Sequence, residues 1–294
     1  MREVLLSLIT VNYNGLADTC AMIDSLPACP VPMEVIVVDN GSQHDEATQL
    51  AQRYPSITVV RSNANLGFAG GNNLGIAAAH GRYLYFVNND TLFPASPDHF
   101  ERLIERMQSQ AMIGAVCPKI RFTWGDSPVQ FAGYTRLSSV TLRNRSIGFG
   151  ESDNGQYDTP HPTPYAHGAA MLVSREAIDR AGRMPECYFL YYEELDWSLM
   201  LRRAGYTIWY EPSATIYHKE SRTTGQDSPL KCYYLSRNRL LFARRNLTGA
   251  ARMLSYCYQI AFADMRCVIT HLTHRRTAQA KATVRGIADF IKAH

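Results

Sequence analysis

The triplet Asn88-Asn89-Asp90 ends a run of bulky apolar residues, Tyr83 to Val87, and offers one carboxylate flanked by amides. Asp90 is therefore a candidate ligand for a hard cation, with Asn88 and Asn89 able to position a substrate. The plain alternative is a turn, which Asn and Asp favour through local hydrogen bonds. Asn12 and Asp39 close two further apolar runs, and His218 closes a third. Glu193-Glu194-Leu195-Asp196 clusters acids that could serve as a general base; equally, these could be ordinary acids in a first helical turn, where the dipole favours them. The stretch from Asn65 to Asn73, with Gly67, Gly70 and Gly71, lets backbone approach a ligand closely, and a helix start there favours an anion. Its glycines are spaced G-x-x-G-G, which is neither the dinucleotide fingerprint nor a P-loop. Together these clusters supply groups for a base and ribose, a diphosphate, a divalent ion and a general base. Those are the requirements of transfer from a nucleotide-activated donor.

The elements that must position them alternate. Strands are expected at 4–11, 34–38, 57–61, 83–87, 114–122 and 167–173, with two more at 207–210 and 214–217. Helices are expected at 16–26, 45–54, about 67–79, 97–110, 175–181 and from Glu193 to about Ala204, with Gly205 as a stop. Alternation of this kind argues for βαβ units with right-handed crossovers and a parallel sheet. In such a sheet, ligands lie beyond the carboxyl ends of the strands, so the polar clusters share one edge. From Thr123 to Pro164 the pattern dissolves, as in an active-site loop or an insertion.

The chain of 294 residues can bury a real core as one large domain or two small ones, and 46% hydrophobic residues exclude a disordered protein. Met1-Arg2-Glu3 leads straight into the first strand without a secretory signal, so the expected compartment is the cytoplasm. Seven cysteines without a CxxC pair suit reduced thiols better than a disulfide framework or a zinc site. From Pro229 onward, twelve Lys or Arg face two acids, whereas the rest of the chain is mildly acidic. This tail should be helical throughout. Asp264 and Arg266 interrupt its apolar segment, which makes a poor membrane span. An interfacial helix pair on the inner face of the membrane fits better. The alternative is a basic face packed on the main domain or on a second subunit of a homodimer. No nucleic-acid motif accompanies the charge.

Six stretches occur in order: Thr10-Val11-Asn12-Tyr13-Asn14, Val37-Val38-Asp39-Asn40-Gly41-Ser42, Asn65 to Asn73, Asn88-Asn89-Asp90, Glu193-Glu194-Leu195-Asp196 and Tyr217-His218. Over about residues 4–225 the chain thereby resembles family 2 glycosyltransferases of the GT-A fold, with a flavour of the bacterial rhamnosyltransferase-like group. Tyr233-Tyr234-Leu235-Ser236-Arg237-Asn238 extends the likeness into the tail.

The resemblance implies a Rossmann-like α/β domain over 1–228, with a mostly parallel sheet flanked by helices, followed by a basic helical extension over 229–294. It implies that Asp39 accepts the imide N–H of uracil or thymine and that Thr10 and Asn12 line the same pocket. Asn65, Gly67 and Asn72 would border ribose and diphosphate, with Asn88, Asn89 and Trp197 completing the nucleotide-sugar site. Asp90 stands where the family places its metal motif, with His218 to complete the site. One carboxylate plus substrate phosphates is adequate for Mg2+, and an imidazole leans the preference towards Mn2+. Glu194 would be the base, where the family more often has Asp; Glu193 and Asp196 are the substitutes. The implied reaction is inverting transfer of rhamnose or another hexose from a dTDP or UDP donor to a saccharide or lipid-linked saccharide, in cell-surface polysaccharide synthesis. Competing readings are a non-catalytic scaffold of the same fold, for which Asn88 and Asn89 in place of acids leave room, and a nucleotide-dependent oxidoreductase, which lacks its glycine fingerprint here.

Overall fold

The computed structural model describes residues 4–219 and 228–293. Met1-Arg2-Glu3, on which the expected lack of a leader rests, and the end of the catalytic segment at 220–227 lie outside the described residues. In chain order the first half runs β1 (Leu6–Asn12), α1 (Leu16–Asp24), β2 (Met33–Asn40), α2 (Glu46–Arg53), β3 (Thr58–Ser62), α3 (Gly67–Ala78), β4 (Tyr83–Val87), β5 (Thr91–Leu92), α4 (His99–Gln108) and β6 (Ile113–Phe122). There follow β7 (Val129–Phe131), β8 (His161–Thr163), β9 (Ala170–Ser174), α5 (Arg175–Ala181), α6 (Glu193–Arg203) and β10 (Thr207–His218). The tail holds α7 (Pro229–Asn246), α8 (Gly249–Tyr258), a π-helical segment (Gln259–Asp264), α9 (Met265–Thr273) and α10 (Thr277–Ala293).

The strands form one sheet in the order β3-β2-β1-β4-β9-β6-β10-β5, with β7 beside β6 and β8 beside β10. β4 is buried at every position, as an apolar run flanked on both faces must be. From β3 to β4 the sheet is parallel. β9 is antiparallel to both β4 and β6, and β10 is parallel to β6. Two reversals restore the direction. The carboxyl ends of β1, β2, β4, β6 and β10 therefore lie on one edge, together with the start of β9.

The expected elements recur with shifted ends, and two expectations need correction. The strands expected at 207–210 and 214–217 are one strand, β10, whose register against β6 jumps between Glu211 and Thr215. Pro212 sits in that bulge because it has no N–H for the ladder. The segment 123–164 is not a bare loop. Val129 and Phe131 are fully buried in β7, and Leu142 reaches a second core.

That second core joins the tail to the part of the chain that holds the sheet. Leu240, Leu241 and Phe242 of α7 and Phe290 of α10 bury against Tyr165, Tyr188, Tyr192 and Leu195. The change in composition at 228/229 is thus not a break in packing. α7 begins where a cap dictates: Ser228 Oγ accepts Lys231 N at 3.2 Å and Pro229 occupies the first turn.

Candidate active site

At the end of β1, Asn12 stands in register with Asp39 on β2. Its Nδ2 donates to Asp39 Oδ1 (3.2 Å) and Glu46 Oε2 (2.7 Å), and its Oδ1 accepts Thr19 Oγ1 (2.7 Å). Asn12 is therefore turned inward as a strut that fixes Asp39. Glu46, which nothing in its sequence neighbourhood singles out, also accepts Gly15 N at 3.1 Å. Thr19 continues the chain by accepting Asn89 Nδ2 at 3.0 Å. Asp39 and the Asn88–Asp90 turn are in this way linked through three side chains, Asn12, Thr19 and Asn89. Thr10 is fully buried, and its Oγ1 has no hydrogen-bond partner among the described residues.

The glycine turn is clamped by Asn40. Its Oδ1 accepts Leu66 N (3.1 Å), and its Nδ2 donates to Asn65 Oδ1 (3.1 Å) and Gly67 O (3.0 Å). Asn65 Oδ1 also accepts Gly67 N at 2.9 Å, and Asn72 Nδ2 returns to Phe68 O at 2.9 Å. Gly67 holds φ at +73°, and a Cβ there would stand 2.1 Å from Phe189 O. No other residue fits. Phe68 N donates to Phe189 O at 2.8 Å, which ties the start of α3 to the loop before α6.

His218, at the end of β10, places Nε2 3.0 Å from Asp90 Oδ1 and 3.4 Å from Asn88 Nδ2. Its Nδ1 meets Gln130 Oε1 at 2.9 Å, an arrangement that fixes the proton on Nδ1. In that tautomer Nε2 turns its lone pair towards the Asn88 amide and the Asp90 carboxylate, where a cation would find one imidazole and one carboxylate donor. One carboxylate and one imidazole are a donor set that would hold Mg2+ or Mn2+. Among the described residues no group of three or more His, Cys, Asp or Glu could hold a metal ion. The remaining ligands would have to come from substrate phosphate and water. Burial lifts the Asp90 carboxyl, but the His218 hydrogen bond and charge and nearby Lys219 outweigh it and leave the group below its ordinary range. Gln130 comes from the segment whose sequence pattern was unreadable.

Glu193 and Glu194 open α6. Burial raises the Glu193 carboxyl well above the ordinary range, and the charge of Glu194 adds to it. Its Oε2 has no hydrogen-bond partner among the described residues. Burial also raises Glu194, against the pull of first-turn backbone N–H groups. Two of the expected residues do other work. Asp196 accepts Tyr188 Oη (3.0 Å), Arg245 Nε (2.5 Å) and Asn246 Nδ2 (2.9 Å), so it fastens α6 to α7. Trp197, expected at the nucleotide sugar, is fully buried edge-on to Phe86, with Nε1 donating to Gly182 O at 2.8 Å. It is a core residue.

The clusters converge on the start of β9. Asn88 N donates to Ala169 O at 2.9 Å. A Cβ on the neighbouring Gly168 would stand 3.7 Å from Glu194 Cγ and 3.9 Å from Phe68 Cζ. Asp90 with His218, the glycine turn and Glu194 therefore border the same strand end, and the relay from Asn89 brings Asp39 alongside.

Comparison with known proteins bears on the family and the fold. The family model described as glycosyl transferase family 2 matches residues 7–182. The chain is 26% identical over 216 residues to the N-acetylglucosaminyl-diphospho-decaprenol L-rhamnosyltransferase of Mycobacterium tuberculosis, covering 67% of this chain and 69% of that protein. It is also 26% identical over 260 residues to the low-salt glycan biosynthesis hexosyltransferase Agl10 of Haloferax volcanii, covering 85% and 79%. Among solved structures, GalNAc-T7 with UDP, GalNAc and Mn2+ superposes with a TM-score of 0.61 at 14% identity, over 88% of this chain. The chain spans about half of that structure's length (54%), and the likeness is one of GT-A fold.

Proposed function

The chain belongs to glycosyl transferase family 2, and on that premise we propose that it moves rhamnose or another hexose from a dTDP- or UDP-linked donor to a saccharide or lipid-linked saccharide, with inversion. The observation that carries the reading is the convergence of Asp90–His218, the glycine turn and Glu194 on the start of β9. Asp39 takes the imide of the base, held in place by Asn12. Asn65, Gly67 and Asn72, around the start of α3, border the ribose and diphosphate. Asp90 and His218 would hold a divalent cation, Mg2+ or Mn2+, whose charge favours departure of the nucleoside diphosphate. Glu194 takes the proton from the acceptor hydroxyl as its oxygen bonds to the anomeric carbon, while the leaving diphosphate departs with the electron pair on the opposite face. The relative that acts on a decaprenol-linked sugar supports a lipid-linked acceptor in cell-surface polysaccharide synthesis, met on the cytoplasmic face of a membrane.

The test is a screen of sugar nucleotides with and without Mn2+, reading the released nucleoside diphosphate. One donor should be turned over by the native chain. Asp90→Ala and Glu194→Gln should each lose that turnover, and full activity in both would reject the assignment.

A further inference from the structure

From residue 249 to residue 273, α8, the π-helical segment and α9 form one unbroken rod whose amphipathicity is reversed. Its buried positions are polar: Ser255, Gln259, Asp264 and His271. Gln259, Asp264 and His271 are bonded inward, and Ser255 is buried beside them with no hydrogen-bond partner for its Oγ among the described residues. Gln259 Nε2 donates to Thr141 O at 2.9 Å, Asp264 Oδ1 accepts Ser236 Oγ at 3.1 Å, and His271 Nε2 lies 3.5 Å from Cys232 Sγ. The outward positions are apolar. Leu254, Phe262, Met265, Ile269 and Leu272 are between 52% and 67% exposed, and Tyr258 stacks on Phe262 to fill the line. Their spacing of four, four, three, four and three residues keeps them on one face, with the π turn absorbing the extra residue. The stripe is about 27 Å long. A helix lying on a globular core in water shows the opposite pattern.

We infer that this stripe is a membrane-docking face, which seats the rod in the headgroup region of an anionic bilayer. Charge selects the occupant. Arg266 on the rod and Arg275 just past its end are exposed, and the rod's one acid, Asp264, points inward. The tail beyond residue 228 carries a balance of ten positive charges, so a second copy would meet this face with like charge, whereas anionic headgroups neutralise it. No helix among the described residues is long and apolar enough to cross a membrane, so the contact is interfacial. The inference deepens the reading above by assigning the surface that meets the membrane, and rests on it only for the lipid-linked acceptor.

The experiment sediments the full-length protein with vesicles of phosphatidylcholine alone and of phosphatidylcholine with phosphatidylglycerol. The native chain should sediment with the anionic vesicles and be partly released by high salt. The double substitution Phe262→Glu with Ile269→Glu should weaken that binding at least about tenfold, with an unchanged thermal midpoint and unchanged turnover of a water-soluble acceptor. Binding that is absent with both vesicles, or indifferent to the double substitution, overturns the inference. So does a dimer in analytical ultracentrifugation that the same substitution dissociates, since the stripe would then face a second copy. Vesicle binding without sugar transfer would instead reject the reaction and leave the surface standing.

Discussion

Glu193 and Glu194 are adjacent in sequence but differ in what the fold does to them. Both carboxyls are raised by burial, Glu193 the further because the charge of its neighbour adds to it. A base must be ionised, so transfer should rise with pH through the raised value of Glu194. The acid limb of kcat/KM is expected above the ordinary glutamate value of about 4.3. Glu194→Gln should lower turnover by about 10²–10⁴-fold across that range. The stability effect has the opposite sign. A raised folded-state value means that the native chain holds protons the unfolded chain has released, so stability is full below the ordinary glutamate value and falls as pH rises towards the raised ones. Glu193→Gln should reduce that fall, read as a higher thermal midpoint at alkaline pH than the native chain shows. Gln130 offers a second test. Because it fixes the proton on His218 Nδ1, Gln130→Leu should weaken Mn2+ activation by about 10–100-fold while leaving the fold intact, measured by titrating the metal against turnover.

At the scale of elements, the loop before α6 is held in strained backbone. Phe189, Tyr191 and Tyr192 all hold positive φ, at 69°, 68° and 79°, conformations that cost each non-glycine residue about 1–3 kcal/mol. α7 holds them there. Asn238 Nδ2 lies within 3.0 Å of the carbonyls of Tyr188, Leu190 and Tyr191, and Arg237 Nη2 donates to Cys187 O at 3.1 Å. Tyr234 stacks on Phe189 with ring centroids 5.1 Å apart. The same loop touches Gly67, so α7 positions both the acid pair and the glycine turn. Asn238→Ala should cost about 1–3 kcal/mol in chemical denaturation and lower kcat more than the donor KM, since Glu194 loses its support. Gly67→Ala should cost more than about 1 kcal/mol, because its Cβ meets Phe189 O at positive φ.

For the whole molecule, the tail and the catalytic part stand or fall together. Leu240, Leu241 and Phe242 share a core with Tyr188 and Tyr192, and Arg245 and Asn246 close on Asp196. A chain ending at residue 228 should therefore aggregate or melt at a much lower temperature, whereas the Phe262→Glu and Ile269→Glu pair should leave the melting point unchanged. The sequence by itself determined the alternation of elements, the buried β4 run and the four polar clusters at strand ends and helix starts, because apolar periodicity and chain punctuation are local properties. It also marked Asp90, His218 and Glu194. It did not distinguish Asp196 and Trp197, which share the same helical turn as Glu194 yet serve the interface with α7 and the core. Nor did it find Gln130, Asn40, Glu46 or Thr19, whose neutral or common side chains gain meaning only from partners up to 88 residues away. Only the tertiary structure decided these roles. Which way a side chain faces depends on what packs against its element, and the reversed face of the 249–273 rod follows the same rule, set by the polar partners that hold its other side.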